Sequence, residues 1–350
     1  MTDLPRGSAS GVGSLPGTDV AAALRLVREV LMSPSPSDSS RASGVPFLPE
    51  LPGRGPGADL VGRAAVRLVD LPVDLQPSGW RLVERPGHDM RRAAAFWRED
   101  LDRMAEAADG WAGPVKVQLA GPWTLSASLW LPRGERAASD AGARRDLVES
   151  SAEAVRALVA DLLAAVPGAE VVVQVDEPSL PAVLDGALPS ASGLRRVRSV
   201  PAPEVSDGLA LVVRAARQAG AATVVHCCAD DPPVALLRRA GADGLSLDTT
   251  RLTPSGWESV AAAVEDGVAL WAGAVPTVDA AGRADAAQRV DAAADALVRA
   301  WRDVGLGLPL LADVLVTPAC GLAGATPAAA AAALHAAVAV QGRLAERAAG

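Results

Sequence analysis

Residues 224–231, VVHCCADD, place one of the chain's three histidines beside two of its three cysteines. In extended backbone alternate side chains share a face, so His226 and Cys228 can point the same way while Cys227 points to the other side. A third thiol, Cys320, lies far downstream in VTPACG, and a carboxylate, Asp248, closes the run LSLD. Two thiolates, one imidazole and either a carboxylate or an open position suit tetrahedral Zn²⁺. His-x-Cys alone fits equally well a satisfied core histidine and cysteines packed as small hydrophobes, because zinc sites usually show paired Cys-x-x-Cys spacing. The metal reading therefore depends on whether the fold brings Cys320 to the same place.

Short β-branched runs alternate along the chain with longer Ala/Leu/Arg segments of helical spacing, the pattern of repeated βα units around a parallel sheet. Strands are expected near Ser10 to Gly13, Val45 to Leu48, Val115 to Leu119, Glu170 to Val175, Ala222 to Val225, Gly244 to Leu247, Val268 to Ala272 and Leu310 to Val316. Eight parallel strands with outer helices make a (β/α)8 TIM barrel of the α/β class, a single domain over residues 1–350. Residues 33–44, SPSPSDSSRASG, read as a polar Pro/Ser-rich loop, and residues 180–203 as an insertion after the fourth strand. In such a barrel the chemistry sits where strands end and βα loops begin. Those positions hold Ser14, Glu50, Gly121 with Pro122, Asp176 with Glu177, His226 with Cys228, Asp248 and Cys320. Singly, Ser14 reads as a turn residue and Glu50 as a solvated charge. Asp176 and Glu177 follow the apolar VVVQV and would need partners there.

Half of the 350 residues are hydrophobic, 21% are charged, and the formal net charge is −8. That balance supports a large core and opposes binding to nucleic acid. The first residues lack the apolar centre of a signal peptide. The Ala-rich tail from Pro327 to Val340 comes closest to a membrane span, yet reads as too short and contains His335. A cytoplasmic location with no membrane partner is the expectation, and three cysteines in such a setting argue against a disulfide framework.

Taken in order, GSLP (Gly13 to Pro16), AGPWTL, VDEP (Val175 to Pro178), HCC (His226 to Cys228) and PACGL (Pro318 to Leu322) resemble the C-terminal catalytic barrel of the cobalamin-independent methionine synthase family. The resemblance implies that His226, Cys228 and Cys320 ligate zinc, with Asp248 where the family places a glutamate ligand. It implies that Ser14, Glu50 and Asp176 hold the amino-acid part of homocysteine, with Asp176 and Glu177 as candidate catalytic carboxylates. Trp123, in the same loop as Trp130, would stack on the donor or pack. The implied activity is zinc-dependent methyl transfer to the homocysteine thiol, forming methionine, with methyl-tetrahydrofolate or a methyl-corrinoid protein as donor. The family's long form also carries a second barrel and a histidine after the seventh strand, and WAGAVPTVD has none. Two other readings stay open: a corrinoid-linked or uroporphyrinogen-decarboxylase-like barrel with another substrate, and a non-catalytic barrel that binds a thiol or zinc.

Overall fold

A computed structural model describes residues 3–34, 43–277 and 285–350. A hairpin of β1 (Val73–Gln76) and β2 (Gly79–Leu82) precedes six further strands: β3 (Gly113–Ala120), β4 (Ala169–Asp176), β5 (Ala222–Cys227), β6 (Gly244–Asp248), β7 (Ala269–Val275) and β8 (Leu315–Pro318). These six pair in chain order, every pair parallel. Two segments close the ring. Ala9 bridges Val316 of β8, Phe47 bridges Lys116 of β3, and Ser14 bridges Glu50. Val45 N–H donates to the Ala9 carbonyl at 2.7 Å, joining the two segments to each other. The result is the expected (β/α)8 barrel, with residues 8–14 and 45–50 as its first and second staves.

Those two staves are not the continuous strands anticipated at Ser10 to Gly13 and Val45 to Leu48. Pro46 and Pro49 have no N–H for a ladder. Gly11 lets the Phe47 ring approach where a side chain would stand. The expected eighth strand also begins later than Leu310, because Leu308–Asp313 forms a 3₁₀ turn that starts through Pro309. The β1–β2 hairpin was not foreseen. It forms around Pro77 and Ser78, with Gly79 at φ 113°, a conformation that favours glycine.

Side chains sharing a register across parallel strands face the same side. Val45, Val172, Ala222, Val224, Trp271 and Leu315 form an apolar floor inside the barrel, sealed by Leu4. Aliphatic residues on the opposite strand faces pack against the helices in a separate, larger core. Side-chain caps close several helix starts: Asp19, Asp59, Asp140, Thr253, Asp285 and Thr326 each accept a backbone N–H of the first turn.

Of the 33–44 loop, residues 35–42 lie outside the described residues, and its base closes through Ser43 N–H on the Ser33 carbonyl. The 180–203 insertion contains the helix Leu180–Leu184 and a hairpin-like arm bridged at Pro189 and Arg196. The last helix corrects the reading of the Pro327 to Val340 run as too short for a membrane span. It spans Pro327–Ala349 and is long and apolar enough, by length and composition, to cross a membrane. Its Ala330, Leu334, Ala337, Val340 and Leu344 are buried within the protein core.

Candidate functional site

Above the apolar floor the lumen turns polar. In β3 the inward positions are Lys116 and Gln118, and in β4 they are Gln174 and Asp176, which pair in register with their neighbours (Gln118 with Gln174, Asp176 with His226). His226 in turn pairs with Ser246 of β6. This period-two placement puts Asp176, His226 and Ser246 in one tier at the C-terminal end of the barrel, the end that carries the chemistry in this architecture.

Cys228 lies just past β5 and Cys320 just past β8, and the two sulfurs stand 3.0 Å apart. With His226 they form a group whose ligand atoms all lie within 4.8 Å of one another. The imidazole is 3% exposed. Its Nδ1 meets the Ser246 hydroxyl at 3.0 Å, whereas Nε2 is buried without any hydrogen-bond partner. A buried nitrogen left bare beside two thiols, with the other ring nitrogen held by a hydroxyl, is the arrangement of an oriented metal ligand. The thiols also suit a cation. The Cys228 S–H bonded to Cys320, and then His226, favour the Cys320 thiolate, while the same bond and burial push the Cys228 thiol up. Cys227 faces the outer core, where burial raises its thiol to about 12.

Asp248 does not join this group. Its Oδ1 accepts from the Thr250 N–H at 3.0 Å and the Thr250 hydroxyl at 2.6 Å. A carboxylate one methylene shorter than glutamate is thus turned back onto its own loop. The three remaining donors, one imidazole and two thiols, are a set of the type that zinc takes in sites with an open position.

The carboxylates divide between two surroundings. Glu50 and Asp176 are 3% and 4% exposed. Burial raises Glu50 to about 7, against the opposing pull of Arg63 and Lys116, and raises Asp176 to about 6, against the pull of His226 and Lys116. Glu50 Oε1 has no hydrogen-bond partner. Glu177 points elsewhere. Its oxygens accept from Trp123 N–H at 3.0 Å, Thr124 N–H at 2.7 Å and Thr124 Oγ1 at 2.8 Å, capping the helix Pro122–Ser128. Burial raises Glu177 to about 7 despite these donors. Trp123 is 1% exposed and donates its indole N–H to the Val205 carbonyl, so its ring is packed.

The recurring motifs prove to be physically joined. A side chain at Gly121 would overlap the Glu177 carboxylate, linking AGPWTL to VDEP. A side chain at Gly321 would overlap the Ser14 hydroxyl, and Leu322 N–H donates to the Ser14 carbonyl at 2.9 Å, linking PACGL to GSLP. Ser14 therefore stands against the turn that carries Cys320.

A family model described as the cobalamin-independent synthase catalytic domain matches residues 80–343. The chain belongs to that family. Its members are the cobalamin-independent methionine synthases, which are methyltransferases. Among solved structures, the chain is similar to a B12-independent methionine synthase from Shewanella sp. W3-18-1 in complex with selenomethionine. The alignment covers 97% of this chain and 98% of that one at 16% identity, with a TM-score of 0.61. It is also similar to GH5_18 from Streptomyces cattleya in complex with GlcNAc, over 97% of this chain and 81% of that one at 17% identity, with a TM-score of 0.47. At 16% identity the first likeness establishes the fold. No curated protein matches the chain.

Sequence reasoning passed over Lys116, Gln118, Gln174 and Ser246 as site residues. The signal was present in VKVQLA and VVVQVD, where polar residues fall on alternate positions of otherwise apolar strands.

Proposed function

We propose that this protein is a zinc-dependent methyltransferase that methylates the thiol of homocysteine to give methionine. The observation that carries the reading is the convergence of His226, Cys228 and Cys320, drawn from two staves distant in sequence, around one bare buried nitrogen. Zinc held there supplies Lewis acidity, which keeps a substrate sulfur ionised near neutral pH where a free alkyl thiol of pKa ~8.5 is mostly protonated.

The chain's own residues do the rest. Glu50, whose Oε1 is buried without a partner, and Asp176 beside it in the lumen receive the substrate ammonium, and Ser14 faces the carboxylate end. His226 is oriented by Ser246, and the buried tier excludes water from the sulfur. Methyl-tetrahydrofolate and a methyl-corrinoid protein are both donors of the required kind, an electrophilic methyl carbon that must be held in line with the sulfur.

The test is direct. Protein loaded with zinc, given L-homocysteine and each donor in turn, should form methionine with at least one and should lose that activity on chelation. Tight homocysteine binding without methyl transfer from either donor would instead support the non-catalytic thiol-binding reading. An intact barrel that takes up no zinc would refute the proposal.

A further inference from the structure

Lys116 is the chain's sole lysine and is fully buried inside the barrel. Its ammonium donates to the Val12 carbonyl at 2.7 Å and to Gln118 Oε1 at 3.2 Å. Gln118 in turn donates to the Leu48 carbonyl at 2.9 Å. Gln174 donates to the same Val12 carbonyl at 2.8 Å and to Asp176 Oδ1 at 2.7 Å. The three side chains rise from the regular strands β3 and β4, and the backbone carbonyls they reach belong to the first and second staves.

Those staves pair with their neighbours through single bridges and short runs of backbone hydrogen bonds, Ser10 and Val316 on one side and Leu48 and Lys116 on the other, rather than through a long regular ladder, so cross-lumen hydrogen bonds add to their restraint. The same staves carry Ser14 and Glu50. A buried ammonium is expensive, and an aliphatic side chain would fill this space at lower desolvation cost, which argues that the lysine performs a task other than packing. The charged groups acting on it, Glu50 and Asp176, favour its charged form against burial. Arg63 acts on Glu50 as a second cation, and His226 and Cys320 act on Asp176.

We infer that Lys116 is a positioning residue: by tying Val12 and Gln118 together across the lumen, it sets where Ser14 and Glu50 stand and so tunes affinity for the amino-acid end of the acceptor. The inference rests on the reading of these residues as the acceptor pocket. The candidate metal ligands, His226 on β5 with Cys228 and Cys320 just past β5 and β8, make none of these hydrogen bonds.

The test uses the zinc-loaded 350-residue protein carrying Lys116→Met, which keeps length but donates nothing, and Lys116→Gln, which keeps an uncharged donor. Lys116→Met should retain its zinc and speed amide hydrogen exchange in residues 8–15 and 45–50 while leaving β5 to β7, which do not pair with those staves, unchanged. It should bind L-homocysteine about tenfold more weakly, the loss of roughly one hydrogen bond. Propanethiol, which lacks the amino-acid end, should bind as to the wild type, and Lys116→Gln should recover part of the loss.

Wild-type exchange in the first two staves of Lys116→Met, or uniformly faster exchange with loss of metal, would overturn the inference. If wild-type protein does not bind L-homocysteine, the functional reading fails while the exchange data still decide the tie. Should Lys116→Met not fold, selective ¹⁵N-lysine labelling of the wild type decides the functional half. Its single Nζ resonance should shift with L-homocysteine and not with propanethiol, and no shift overturns the inference.

Discussion

Replacing Glu50 with glutamine should make the protein more stable and worse at binding its acceptor. The Glu50 carboxyl is 3% exposed, leaves Oε1 without a partner, and is raised by burial from 4.5 to about 7. A native pKa above the unfolded one means the folded state holds the proton more tightly. Below pH ~4.5 both states are protonated and the shift has no effect on stability. Above pH ~7 both are ionised, and the native state carries the full cost of a buried anion. The difference of about 2.5 units corresponds to ~3 kcal/mol, an upper figure for what Glu50→Gln recovers at pH 8. Urea unfolding of both proteins at pH 5 and pH 8 reads this directly: the gain should be large at pH 8 and shrink as pH falls through 7. Calorimetry with L-homocysteine on the zinc-loaded protein should show the opposite sign, with affinity about ten- to a hundredfold lower for loss of a charge-assisted hydrogen bond. A variant less stable than wild type by the same amount at both pH values would refute the reasoning, since Glu50 would then be a satisfied structural group.

Wild-type affinity for L-homocysteine should itself fall roughly tenfold between pH 8 and pH 6, because a proton on Glu50 competes with the substrate ammonium near pH 7; a flat profile would remove Glu50 from the pocket. Cys320→Ser should release zinc while Asp248→Asn retains it, read as metal per chain by mass spectrometry, since the Asp248 oxygen nearest Thr250 is already occupied. Equal metal loss in both variants would restore Asp248 as a ligand. Gly321→Ala should weaken acceptor binding with little change in metal content, because the added methyl displaces the Ser14 hydroxyl; a homocysteine titration indistinguishable from wild type would show that Ser14 stands outside the pocket.

Much of this site was legible before any fold was known. His-x-Cys in a strand end has a period-two reading, so His226 and Cys228 share a face and Cys227 does not. Asp176 followed an apolar run that required partners, and the lumen supplies Gln174. Other features were not legible, for physical reasons that differ. Glu177 looked equivalent to Asp176, yet strand alternation turns it outward to the helix start at Trp123 and Thr124, whose free N–H groups need an acceptor. Asp248 holds the strand-end position expected of a fourth ligand, but its short side chain bonds Thr250 two residues on and stands apart from the His226, Cys228 and Cys320 group. Trp123 read as a rim residue, and only the packing of the helix Pro122–Ser128 shows its ring to be buried.

Local chemistry thus determined the kind of element most segments form, the six regular strands among them, and which side of a strand each residue takes, because periodicity and capping act over a few residues. It also determined the donor types available for a metal. Whether Cys320 meets Cys228, whether Gly321 admits Ser14, and whether Lys116 reaches Val12 were decided only when the ring closed. Those contacts join residues far apart in the chain, and their distances depend on the register and curvature of the whole barrel.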